Sequence, residues 1–137
     1  MREILFRGKC GYNNEWVEGF YYQAKLYRSD KELCHYITIP HPESDGQPSD
    51  HIMVHSETVG QFTGLTDKNG KRIFEGDIAK NEYEDRNYQY FKIFYNEKTL
   101  QWEVMNKYGM RGNLHNVIGN MEVIGNIHDN PELLENP

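Results

Sequence analysis

The run from residue 58 to residue 77, TVGQFTGLTDKNGKRIFEGD, constrains this chain more than any other stretch. Val59, Phe62 and Leu65 are apolar ahead of a reversal signal, Asp67-Lys68-Asn69-Gly70, and Ile73, Phe74 and Ile78 are apolar beyond it. Asn-Gly tolerates φ > 0 at both central positions of a turn, so the run predicts a tight β-hairpin closed by a type I′ turn.

Short β-type runs flank this hairpin on both sides. Ile4-Leu5-Phe6 and residues 16–22 (WVEGFYY), separated by Gly11-Tyr12-Asn13-Asn14, predict a first hairpin with Phe6 near Trp16. Residues 35–39 (HYITI) form a short β-branched run closed by Pro40, and the Pro-, Ser- and Asp-rich residues 42–50 read as a surface loop. Ile52-Met53-Val54 then leads through a turn at residues 56–58 into the central hairpin.

Downstream, residues 81–87 are polar and read as a loop. Residues 90–95 and 100–105 flank Asn96-Glu97-Lys98-Thr99 as a second clear hairpin, with Phe91, Ile93 and Tyr95 on one face opposite Trp102 and Val104. Residues 106–112 carry two glycines and return the chain toward Leu114, Val117 and Ile118, and residues 121–127 read as a closing strand. Asn130 suits a helix N-cap and Pro131 a first helical position, so a single helical turn is expected there, held in place by Leu133 and Leu134.

Ten Tyr and six Phe in a chain that is only 37% hydrophobic mean that aromatic rings carry much of the burial, which suits pleated sheet better than helix. The fold expected is therefore mainly β: a small β-barrel-like fold with an SH3-like C-terminal part, suggested by Glu75-Gly76-Asp77, an N-terminal hairpin subdomain and a short C-terminal helical turn. The SH3 comparison is fold analogy and carries no function. One domain over residues 1–137 is expected, with a possible subdivision into 1–57 and 58–137.

A formal charge of −6 argues against general attraction to phosphate backbones or anionic membranes. Cys10 and Cys34, without a signal peptide, do not make a disulfide framework. No apolar run approaches the roughly 20 residues needed to cross a bilayer. A soluble protein of a reducing bacterial cytoplasm is the expectation.

Three blocks, REILFRGK near the start, TVGQFTGLTDKNGKRIFEGDI in the middle and MEVIGNIHDNPELLE near the end, resemble the YopX family of phage and prophage proteins in the family's order. The likeness covers essentially the whole chain. It implies a small, mostly β protein of bacteriophage or prophage origin, and it brings no catalytic residues with it.

Cys34, His35, His41, His51 and His55, with Asp45 and Asp50 among them, are the residues whose chemistry suits zinc. His51 and His55 share a face of a strand but stand about 13 Å apart on it, and neither a CxxC nor an HExxH pattern is present. Asp67, Glu75 and Asp77 invite an acid–base reading, but a turn and a strand boundary call for the same residues. No nucleophile triad, phosphate loop or dinucleotide fingerprint occurs. Catalytic, metal and cofactor residues are therefore not expected.

The candidate partner-binding residues are the loop tyrosines Tyr83, Tyr88 and Tyr90 and the basic hairpin tip Lys68, Lys71 and Arg72. The function expected is that of a non-enzymatic accessory protein binding another macromolecule, a host or phage protein. The alternatives are a nucleic-acid-associated factor working through the basic tip and, third, a metal-dependent enzyme. Homo-oligomerisation through an edge strand is a further expectation.

Overall fold

In a computed structural model, which describes residues 2–40, 48–82 and 89–135, the chain divides into two units, Met1–Gln61 and Phe62–Pro137. The described strands lie in two antiparallel sheets.

In the first unit, β1 (Phe6–Lys9) and β2 (Trp16–Ala24) make the expected first hairpin. Its register differs from expectation: Phe6 pairs with Gly19, and Lys9 pairs with Trp16. The turn sets this, because the Cys10 N–H donates to the Glu15 carbonyl at 2.8 Å and Asn14 turns at φ 58°, making Lys9 and Trp16 the innermost strand pair. Ile4 and Leu5 precede the strand. Phe6 instead meets Tyr21, with ring centroids 5.3 Å apart, and Trp16 lies under the Arg7 guanidinium at 4.5 Å.

Beyond β2 come β3 (Cys34–Pro40) and β4 (Pro48–Met53), in the order β4-β3-β2-β1, and the free edge of β1 takes the first residues of β5 (Gly60–Thr66). Residues 48–50, expected as loop, are strand paired to β3; residues 41–47 lie outside the described part. Alternation buries Ile37 of β3, and Cys10, just after β1, forms an isolated antiparallel bridge with Val54, just after β4. Gly19 is glycine for want of space: a Cβ there would strike the Thr38 carbonyl. A 3₁₀ turn, Ser56–Thr58, follows, and the Thr58 hydroxyl fastens it by donating to the His55 carbonyl at 2.6 Å and accepting the Lys9 N–H at 2.9 Å.

In the second unit the rest of β5 pairs with β6 (Arg72–Phe74), matching Phe62 to Phe74 and Thr66 to Arg72 across a bulge. The hairpin is present, but its turn is not type I′. Gly70 has φ +82° whereas Asn69 stays out of the left-handed region. The Asp67 N–H donates to the Lys71 carbonyl at 2.8 Å and the Gly70 N–H to the Asp67 carbonyl at 3.0 Å. This is a three-residue loop ending on a left-handed glycine. The Asp67 carboxylate selects it by accepting the Asn69 and Lys71 amides, both at 2.9 Å.

The second sheet contains β7 (Asp77–Asn81), β8 (Tyr90–Asn96), β9 (Gln101–Met105), β10 (Arg111–Asn113) and β11 (Met121–Asn126), in the order β10-β9-β8-β7-β11. It is open. The two edges, β10 and β11, are joined by a helical turn α1 (Leu114–Val117) and a 3₁₀ turn (Ile118–Asn120), not by a ladder, so the expected SH3-like barrel closure is not found among the described residues. Ile73, Ala79, Phe91, Ile93, Val104, Leu114, Met121 and Val123 form the core, and Leu65, Trp102, Val117 and Ile118 pack against it. Burying each large side chain contributes about 1.5–3 kcal/mol.

Residue 100 departs from its expected place in a strand. Asn96 pairs with Gln101, and Leu100 sits in the loop at φ 57° with its N–H donating to the Asn96 carbonyl at 2.8 Å. The chain then reaches α2 (Glu132–Glu135), where the Leu133 N–H donates to the Asn130 carbonyl at 3.1 Å. The Asn130 side chain is turned to the Asn126 N–H at 3.2 Å. No helix among the described residues is long and apolar enough to cross a membrane.

Candidate functional site

The basic tip does not converge into a patch. The Lys68 ammonium is 3.1 Å from a Glu82 carboxylate oxygen, and the Arg72 guanidinium lies over the Phe62 ring at 5.6 Å; Lys71 is exposed on the loop. Tyr90 opens β8 half-buried opposite Lys80, while Tyr83 and Tyr88 lie outside the described residues.

The carboxylates considered for acid–base work are committed to backbone. Burial pushes the Asp67 carboxyl upward, but N–H bonds from Val123, Lys71 and Asn69 outweigh it and hold the group below the usual aspartate value. Asp77, almost fully buried, accepts the Phe74 N–H at 2.8 Å and fixes the bend at Gly76. Glu75 is shifted the other way, upward, by burial and then by the Glu97 charge.

The histidines are separated by the alternation of the strands that carry them. His35 and Thr38 point to opposite faces of β3, and His51 pairs with Thr38, so His35 and His51 lie on opposite sides of the sheet. The His35 Nδ1 meets the Tyr21 hydroxyl, the His51 Nδ1 meets the Tyr22 hydroxyl at 2.9 Å, and the His55 Nε2 donates to Asn14 at 3.0 Å. His41 lies outside the described residues. Among the described residues no three His, Cys, Asp or Glu side chains gather as a metal centre would need, and Cys10 and Cys34 are free thiols.

What the first sheet does assemble is an aromatic face. Period-2 alternation puts Phe20 and Tyr22 of β2 on one side with Glu18, and cross-strand pairing adds Tyr36 and Thr38 of β3 and His51 of β4. Tyr22 stacks on Tyr36 with centroids 5.1 Å apart and planes 15° apart, and meets His51 edge-on at 5.8 Å. Thr38 is buried beneath them, its hydroxyl 3.2 Å from the His51 Nδ1. Phe20 remains 56% exposed and Tyr22 37%. Burial first, and then the neighbouring Cys34 thiol, raise the Tyr36 phenol above the ordinary tyrosine value and keep it a neutral hydrogen-bonding group. The period-2 signal that groups Phe20 with Tyr22 is present in WVEGFYY.

A mainly β protein of two antiparallel sheets, few helical turns and a ring-lined strand face is the class these features define. The chain belongs to the YopX family: the family model, YopX protein, matches residues 5–135. Among solved structures, the crystal structure of protein EF1440 from Enterococcus faecalis is similar, at 26% identity over 98% of this chain and 99% of that chain, with a TM-score of 0.52. No curated protein matches this chain.

Proposed function

We infer that this protein is a non-enzymatic binding protein that engages a protein partner through the aromatic face of β2, β3 and β4. One observation carries the reading: Phe20 and Tyr22 stand exposed on a strand face where Tyr22 is already held by Tyr36 and His51. Rings fixed before association lose little entropy on binding, and aromatic residues dominate binding hot spots. The charge of −6 and the dispersed basic tip favour a protein over a nucleic-acid partner. Phage or prophage origin, implied by the sequence resemblance, makes host and phage proteins the partners to examine.

The test places a photo-crosslinking amino acid at position 20 in the full chain, identifies the adduct, and measures the purified partner against Phe20→Ser and Tyr22→Ser. Binding weakened at least tenfold, about 1.4 kcal/mol, with an unchanged melting temperature supports the interface. A partner bound equally well by both variants overturns it. Salt-dependent binding of single-stranded DNA, retained in both variants, moves the function to nucleic acid.

A further inference from the structure

Asn69-Gly70 is the one Asn-Gly pair in the sequence, and both residues stand exposed in the loop between β5 and β6. Glycine carries no Cβ to shield its own amide nitrogen, so an asparagine just before it is open to attack by that nitrogen. The surroundings give no cover either: a Cβ built on Gly70 would meet nothing within 4 Å.

The protection comes from hydrogen bonds, and one residue makes them. The Gly70 N–H donates to the Asp67 carbonyl at 3.0 Å, so the nitrogen neither loses its proton freely nor swings toward the Asn69 side chain. The Asp67 Oδ1 accepts the Asn69 N–H and the Lys71 N–H, both at 2.9 Å, which fixes the backbone on either flank of the reacting nitrogen. A labile, solvent-open pair is thus held still by the main-chain carbonyl and the carboxylate of Asp67 together.

We propose that Asn69 is a self-modification site gated by Asp67: the closed loop protects it, and opening of the loop converts it to aspartate and isoaspartate. In the open loop the Gly70 nitrogen gives its proton to hydroxide and attacks the Asn69 Cγ. The new N–Cγ bond closes a cyclic imide, and the Cγ–Nδ2 bond breaks as the side-chain nitrogen leaves as ammonia. Water then opens the imide at one of its two carbonyls. Breaking the bond between the nitrogen and Cγ gives aspartate. Breaking the bond to the main-chain carbonyl gives isoaspartate, whose main chain runs through Cβ and Cγ. That lengthens by one atom a loop in which the Asp67 carboxylate must reach the amides of both residue 69 and Lys71, so the hairpin does not close as before. The change is one-way, and it marks a chain whose central hairpin has stood open.

The test follows position 69 by peptide mapping and mass spectrometry in the full chain at mildly alkaline pH, beside a synthetic peptide of residues 64–75 and the full chain in denaturing urea. The folded chain should convert about tenfold or more slowly than either reference, a ratio set by the fraction of time the loop is open. Asp67→Ser, held well below its melting temperature, should lose most of that protection. A second measurement needs only the wild type: across sub-denaturing urea the conversion rate should track hydrogen exchange at the Gly70 amide, because both require the same hydrogen bond to open. Conversion of the folded chain at the peptide's rate overturns the proposal. So does a folded Asp67→Ser chain as resistant as the wild type, or a conversion rate that does not follow exchange at Gly70.

Discussion

Asp67 and Val123 stand 56 positions apart, and the Oδ2 of the first accepts the backbone N–H of the second at 2.9 Å. With Asn69 and Lys71 on its other oxygen, one carboxylate shapes its own hairpin loop and ties that loop to β11. The Lys68 N–H, donating to the Met121 carbonyl at 3.1 Å, doubles the tie.

Asp67→Asn replaces an acceptor oxygen with a donor that faces N–H groups, and the expected loss is on the order of 2 kcal/mol at neutral pH. The folded-state pKa lies below the ordinary aspartate value, so this stabilisation is complete above about pH 4 and disappears as pH falls through the folded value. Urea midpoints measured from neutral pH downward should fall more steeply for the wild type than for the variant. Parallel curves would show that Asp67 is not ionised in its bonds.

Glu75 has the opposite sign. Its folded pKa is raised by burial and by Glu97, so its stabilising balance holds below the ordinary glutamate value and is lost as pH rises through the folded one. Glu75→Gln should therefore raise the melting temperature at neutral pH and leave it unchanged in acid. A loss at neutral pH would mean that the charge is satisfied in place.

Leu100 is 72% exposed and holds φ 57°, a conformation that costs a non-glycine residue about 1–2 kcal/mol. Leu100→Gly should be neutral or stabilising by up to about 1 kcal/mol, because little burial is surrendered. Leu100→Val, β-branched at the same φ, should lose stability. Chemical denaturation of the pair reads the sign directly, and the reverse order would remove backbone strain as the explanation.

Deleting residues from Pro131 onward removes α2. A helix this short is not stable alone and holds its shape only by packing, so the deletion should cost about 1–3 kcal/mol. Identical melting curves for the shortened and full chains would make the segment a passive tail.

The central hairpin is legible in the sequence because Asp67, Asn69 and Gly70 each have a local job there. Its loop type is not, because the choice between two and three loop residues depends on which amides the Asp67 side chain reaches. Leu100 is misread as strand because left-handed loop positions are ordinarily marked by Gly or Asn, and leucine gives no such signal. Likewise the first turn is visible, but not that Lys9 and Trp16 would be the innermost pair. Alternation separates Phe20 and Tyr22 from Tyr21, yet it does not say which side remains uncovered.

The pairing of β7 with β11 has a kinetic meaning. Asp77 must await Asn126 and Asn81 must await Met121, with three strands and two helical turns made in between. Such distant partners carry a loop-closure cost and slow folding relative to a sheet built only from neighbours. During synthesis the β7–β8–β9 meander emerges first with one backbone edge of β7 unclaimed, a template for any passing extended chain. β11, which leaves the ribosome after that meander, is the strand that shuts the edge, so a chain terminated before Met121 should aggregate, not merely fold less tightly.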